Sequence, residues 1–469
     1  MNFFRLLFVT LIFLSNTALA DIINVSPTDI IKNASNEIVN ERQFLQDLSS
    51  KVEALLANKK NMEAIELAKA SALKAPQSVK IQFFYVSLLV FLENKQQALQ
   101  QLQTLKKRFP NNGKAFFMSS VLQWQEGKSE LAIADMVKAT ALSPQELKYW
   151  LMLSQMNHDG EGHGLNVHKG SLQALLSAER YHESNTDLLY RIAATYDEES
   201  KSAQALTYYA KVLALMPGHN DANIASAINT LKIDSNADVS IWQKNAQSDA
   251  YRLYIKGVKS FYQGDYQQAL ETLHGIQNEL TNNGHFDYYL AKVKLALDKN
   301  SEAVNFANSA ISKGVFPSEQ NELIKLIAAS KAATITFPMH KIDHKGVGES
   351  IGRIDIIELS KGIVIKPILS GLAPGEHGFH VHQEGTCDNV VVDGENVAGG
   401  MAKGHYMGHQ HHGSPAGDLP NIVFDKQLIA DVAFFAPQLT LNEIKGRSFM
   451  IHALATKDAN LRIACGVAK

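Results

Sequence analysis

Cysteine is scarce: the 469 residues hold two, Cys387 and Cys465. One disulfide or a pair of free thiols is all the thiol chemistry available. An excess of one charge is missing too. The formal net charge is −2, with no local basic run, which argues against a general nucleic-acid binder. Long apolar runs are absent after the leader, so no later segment is expected to cross a bilayer. The leader is different. Arg5 precedes a nearly unbroken apolar stretch, Leu6 to Leu14, and Ala18-Leu19-Ala20 offers a small-x-small cleavage site before Asp21. Residues 1–20 read as a secretory signal, its apolar core short for a span of about 20 residues. No cysteine follows the cleavage site, so a bacterial-type lipid anchor is not indicated. Export, to the periplasm or beyond, places the two cysteines where a disulfide persists; two free thiols are the alternative. A Cys387–Cys465 bridge would close a loop of about 80 residues, worth about 4–5 kcal/mol in the chain-entropy model.

What is present is a period. Pro76, Pro110 and Pro144 stand 34 residues apart, as do Ala64, Ala98 and Ala132, and again Ala269 and Ala303. Each of the first three alanines precedes its proline by twelve residues, as Ala205 precedes Pro217. A small residue lets two antiparallel helices approach, and proline ends the second. This pattern resembles the tetratricopeptide repeat, carried best by Gln125-Glu126-Gly127-Lys128 leading to Ala132 and by Gly257 with Gly264-Asp265-Tyr266 leading to Ala269. Val52 and Val86 depart from it, standing where a small residue is usual. Six or seven divergent units are expected. Asn157 to Gly170 reads as a tolerated surface insertion whose His158, His163 and His168 share no helix face. Asp234 to Asp249 reads as a linker or broken helix.

From Thr334 the pattern changes to short alternating runs. Thr334–Phe337, Arg353–Ile357 and Gly362–Ile365 read as strands. The expected architecture is therefore multidomain α + β: signal peptide 1–20, lead segment 21–45, an all-α helical-hairpin solenoid over 46–333, and an all-β Greek-key barrel over 334–469.

Ten of the 17 histidines fall in that last segment. His380 and His382, two apart in a strand, point to one face roughly 7 Å from each other, as a chelating pair does. Cys387 follows, then Gly404-His405-Tyr406, Gly417-Asp418-Leu419-Pro420, Gly446 to His452, and Arg462 to Val467. With Lys345 to Gly352 and Gly371 to His380, these motifs resemble the copper/zinc superoxide dismutase family in its bacterial exported form. The resemblance implies a copper site of His380, His382, His405 and His452, a metal-bridging and proton-carrying role for His405, an anion-attracting Arg462, and a Cys387–Cys465 disulfide. His377 lies outside the ligand pattern and reads as a surface residue.

Two departures concern zinc and the channel. Three residues before Asp418 stands Pro415, where the family carries histidine. The zinc set expected here is His405, His412, Asp418 and either His409 or His411. Only nine residues separate His452 from Arg462, and Thr456 stands where an aspartate usually ties the two metals, with Asp458 nearby as a partial replacement. That shortening resembles the copper-only branch, leaving copper open to solvent, with Lys457 adding local positive potential. The function implied is superoxide dismutation at copper, beside a repeat surface for an unidentified protein or peptide. The alternatives are a non-catalytic copper-handling protein on the same scaffold, and an interaction protein whose repeats are the working part.

Overall fold

The computed structural model describes residues 39–160, 168–392, 394–408, 415–454 and 461–468. The signal segment, residues 161–167 of the insertion, His409, His411, His412, Thr456, Lys457 and Asp458 lie outside them. The chain divides into two compact units, Met1–Tyr181 and His182–Lys469.

The first unit holds four helical hairpins: α1 (Val39–Ala57) with α2 (Asn61–Lys74), α3 (Val79–Phe91) with α4 (Lys95–Arg108), α5 (Gly113–Gln125) with α6 (Ser129–Leu142), and α7 (Leu147–Gly160) with α8 (His168–Glu179). The second continues with α9 (Thr186–Glu198) and α10 (Ser202–Leu215), α11 (Asn220–Ile233) and α12 (Ser240–Asn245), α13 (Asp249–Tyr262) and α14 (Tyr266–His274), α15 (Gly284–Ala296) and α16 (Asn300–Lys313), and a last helix α17 (Pro317–Ser330). Among the described residues the repeat count is therefore eight hairpins. The extra one is α11–α12, whose short second helix lies in the polar Asp234–Asp249 stretch and has no alanine–proline pair to mark it.

The periodic alanines do what their size allows: Ala64, Ala98, Ala132, Ala205, Ala269 and Ala303 are fully buried. At Gly257 the helices are closer still, since an added Cβ would stand 2.6 Å from a Leu273 methyl. Four of the helices end two residues before Pro76, Pro110, Pro144 and Pro217. The tight turn inside six of the hairpins uses a left-handed residue at a recurring place: Lys59, Glu93, Gly127, Ser200, Gly264 and Asp298, with φ between 57° and 80°. Only two of these are glycine, so the array accepts backbone strain at the others to hold the turn.

After Ser330 the chain forms strands β1 (Ile335–Asp343), β2 (Gly346–Glu358), β3 (Ile363–Ser370), β4 (Gly375–His382), β5 (Val390–Val392), β6 (Glu395–Val397), β7 (Ile422–Phe424), β8 (Ile429–Ala430), β9 (Phe434–Ala436), β10 (Ser448–Leu454) and β11 (Arg462–Val467). Their order is β7-β4-β10-β11-β1-β2-β3-β8, with β9 also on β3. All pairs are antiparallel, and the Asp425 amide donates to the Ile429 carbonyl across the β7–β8 turn, bringing the two ends of the sheet together. The barrel core is Phe337, Ile354, Ile356, Phe379, Val381, Phe449 and Ile451 with their neighbours.

A second apolar cluster joins helices to barrel. Leu323, Ile324 and Ile327 of α17 pack with Ile357, Leu359 and Val364 of the β2–β3 region, and Phe435 lies against them. Lys366 donates to the Ala328 carbonyl at 2.8 Å and Lys331 to the Glu358 carbonyl at 2.6 Å. The barrel's outer face there is interior. Cutting at residue 334 would expose those side chains, at a cost of roughly 1.5–3 kcal/mol each when fully exposed. Fragment 334–469 is therefore expected to show weaker hydrogen-exchange protection of its β4 and β10 amides than fragment 182–469. Equal protection would mean that α17 adds nothing to the barrel.

Candidate metal centre

Strand parity builds the site. Along β4, His377, Phe379 and Val381 turn inward and are buried. His380 and His382 take the other face, with ring centroids 6.5 Å apart. The inward position of His377 corrects its reading as a surface residue. It has the parity of the core residues Phe379 and Val381, opposite to that of the chelating pair.

β10 lies beside β4, pairing Met450 with His380 and Phe449 with Val381, and carries His452 to the same end. Gly404-His405-Tyr406 runs along the end of β4: the Tyr406 amide donates to the Val381 carbonyl at 2.8 Å and the Gln383 amide to the Gly404 carbonyl at 3.0 Å. The Val381 amide donates to the Gly417 carbonyl at 2.8 Å, which draws in Asp418.

The structure thus brings His380, His382, His405 and His452 together, with one ring nitrogen from each inside a group spanning 4.8 Å. Ring centroids of His380 and His405 are 3.9 Å apart, and those of His382 and His452 5.7 Å. The bonding around the rings fixes which nitrogen faces inward. His382 donates from Nδ1 to the Lys403 carbonyl at 2.9 Å, and its buried Nε2 meets no protein partner. His380 Nδ1 is likewise buried without a protein partner. His405 donates from Nδ1 to Asp418 Oδ1 at 2.7 Å, leaving Nε2 as its lone-pair nitrogen. Burial, then the neighbouring His405 and His452, hold His380 down to about 3. Burial, with Arg462 and the same neighbours, and against the Lys403 carbonyl bond, holds His382 down to about 4. A neutral imidazole whose buried nitrogen keeps its lone pair is a good metal ligand, and a group of four imidazoles suits Cu(II), which favours nitrogen in a tetragonal arrangement.

Arg462 stands opposite His452 in the β10–β11 ladder. Its guanidinium donates to the Gly399 and Lys403 carbonyls, so the cation is held in one place. Cys387 and Cys465 are bonded, with Cα atoms 5.7 Å apart, and tie the loop after β4 to β11. Of the expected zinc set, His405 and Asp418 meet; His409, His411 and His412 lie outside the described residues.

Three supporting residues had no role assigned from sequence. His377 places Nδ1 2.8 Å from the His452 carbonyl and Nε2 2.9 Å from the Ala373 carbonyl, which sets the turn before β4 against the backbone of the candidate ligand His452. Gly378 leaves room for that ligand, since an added Cβ would stand 3.4 Å from His452 Cβ and 3.2 Å from His380 Cε1. Arg447 lies over the Tyr406 ring at 3.6 Å and donates to the Gln383 carbonyl at 2.8 Å, joining the neighbours of His405 and His382. The Gly446-Arg447 and His377-Gly378 pairs flank the histidine motifs, and that adjacency was the available signal.

The depressed histidines give the metal-free protein a pH dependence. Between their folded values, about 3 and about 4, and the ordinary 6.5, the unfolded chain binds more protons than the folded one. Stability from these groups is complete above 6.5 and lost as pH falls through that window. The urea midpoint of metal-free protein should drop from pH 6.5 to pH 4, and His380→Gln should flatten the slope. An unchanged slope in that variant would contradict the neutral assignment.

Residues 350–468 match the family model described as copper/zinc superoxide dismutase (SODC). The superoxide dismutase [Cu-Zn] of Photobacterium leiognathi is 38% identical over 137 residues, which is 26% of this chain and 79% of that protein. The solved Cu/Zn superoxide dismutase from Brucella abortus is 33% identical, with 29% of this chain and 98% of that one covered and a TM-score of 0.27. A tetratricopeptide repeat protein from Parabacteroides merdae covers 60% of this chain and 98% of its own at 14% identity and a TM-score of 0.34. Through this C-terminal superoxide dismutase domain, the chain belongs to the copper/zinc superoxide dismutase family.

Proposed function

We propose that the C-terminal domain disproportionates superoxide at a copper ion held by His380, His382, His405 and His452. The observation that carries this is the four-imidazole group, with buried nitrogens of His380 and His382 turned into it and the rings of His382 and His405 held through their Nδ1 atoms. Copper, when bound, supplies the one-electron cycle that converts two superoxide ions and two protons to dioxygen and hydrogen peroxide. The residues do the rest. His382 is held in one tautomer by the Lys403 carbonyl. His405 carries its Nδ1 proton toward Asp418, so its Nε2 is the atom that takes up and returns a proton during turnover. Arg462, fixed by two carbonyls, draws the anion to the histidine group and hydrogen-bonds it.

Zinc is proposed as a second ion on His405 and Asp418, completed by His412 and by His409 or His411. Without it, the Asp418 carboxylate alone orients His405. The chain is proposed to be exported after cleavage at residue 20, with a lead segment to 45, repeats over 46–333 serving a protein or peptide partner, and the dismutase over 334–469.

Copper-loaded full-length protein should speed superoxide decay in proportion to bound copper. Arg462→Ala should lower the rate by roughly tenfold or more while leaving copper affinity nearly unchanged. Tight copper binding without superoxide decay in the wild type would move the reading to copper handling. An unaltered rate in Arg462→Ala would remove the anion-drawing role.

A further inference from the structure

The first unit carries a row of cations that its fold does not require. Lys80, Lys114 and Lys148 are the second residues of α3, α5 and α7, each 34 residues from the next. The later two reach back over a ring of the preceding hairpin. Lys114 Nζ lies 5.0 Å from the Phe83 centroid, and Lys148 Nζ lies 5.8 Å from the Phe117 centroid. Phe83 and Phe117 are themselves 34 residues apart. Tyr149 stacks on Phe117 at 4.4 Å and extends the aromatic floor under Lys148.

Three features make the row more than a solvated face. A cation in the first turn of a helix opposes the helix dipole, which favours Asp or Glu there. α9 and α11 obey that preference with Asp187 and Asp221 at the same second position; α3, α5 and α7 break it three times. The lysines are also poorly neutralised. Lys80 reaches Glu41 at 3.6 Å and Lys148 reaches exposed Glu146 at 3.7 Å, both near the limit of ion pairing. Lys114 is half-buried, and burial and nearby Lys148 both push its ammonium down, with no carboxylate opposing them. Finally, each departure recurs at the repeat period, which a chance surface charge does not do. Local rules broken in register point to a binding surface, since the cation–π contacts of Lys114 and Lys148 offset only part of the opposed helix dipole and burial.

The spacing selects the ligand. Packed helices stand roughly 8–10 Å apart. A chain in the polyproline II conformation rises about 3.1 Å per residue with three residues per turn, so every third side chain returns to one side after about 9 Å. We propose that the row Lys80–Lys114–Lys148 docks an extended acidic segment of a partner protein, with carboxylates at every third residue pairing with successive lysines over the Phe83 and Phe117 rings. This deepens the proposed role of the repeats and is independent of the copper chemistry.

The test uses the full-length protein and a fluorescein-labelled peptide of repeated Asp-Pro-Ala triplets, read by anisotropy. A second peptide has the same composition with its aspartates clustered at one end. The triplet peptide should bind, more weakly as salt rises, and more tightly than the clustered one. Lys114→Glu should weaken it about tenfold or more, with Lys114→Gln as a milder variant should the reversal disturb folding. Lys107→Glu, on the exposed side of α4, should leave binding unchanged. Three results would overturn the proposal: no binding, equal binding of the clustered peptide, or equal loss in Lys107→Glu. Superoxide decay measured on the same variants separates the two readings, because neither lysine belongs to the metal centre.

Discussion

The metal centre depends on the antiparallel pairing of β4 with β10. That pairing sets which side chains of each strand face the core and which face the loops. On β4 it sends Phe379 and Val381 inward and two imidazoles outward. On β10 it places His452 next to Gly378, which has no side chain to obstruct it. The buried His377 then bonds the His452 carbonyl directly. Three of the candidate ligands are thus carried by a rigid ladder, the support that a proposed redox site would need to keep its geometry through a change of charge. The fourth imidazole arrives on a loop, but that loop is hydrogen-bonded along the end of β4 and covalently linked to β11 through Cys387.

The helical array and the barrel share more than a polypeptide. α17 covers the outer face of the β2–β3 sheet, so its apolar residues close that face of the barrel and end the solenoid at once. A repeat stack needs its last apolar face covered, and here a sheet does it. The dismutase domain is a structural cap of the array as well as its neighbour. The first unit and the barrel accordingly offer two kinds of surface, a row of lysines over aromatic rings and a group of four histidines.

What was legible in the sequence was whatever a local period encodes. The 34-residue spacing gave the hairpins, the shift to alternation gave the strands, and strand parity put His380 and His382 together. The same parity rule applied to His377 would have buried it, but that residue was judged by its absence from the ligand motif. The α11–α12 hairpin was missed as a unit because its second helix is a six-residue remnant with none of the repeat's markers. The joint between α17 and the sheet left no local trace: Ile357, Leu359 and Val364 read as ordinary strand residues, and only the tertiary fold shows what covers them. Arg447 had its place beside a histidine motif as a signal, but its partners Tyr406 and Gln383 are distant in sequence and only the tertiary fold shows them.

The central claim is a single copper ion held by four imidazoles. Electron paramagnetic resonance of the full-length protein, titrated with Cu(II) to saturation, tests it most directly. The account predicts one copper per chain in a tetragonal nitrogen environment, with nitrogen hyperfine structure that loses one coupled nitrogen in His452→Ala. A spectrum with mainly oxygen ligation, or one that His452→Ala leaves unaltered, would contradict it.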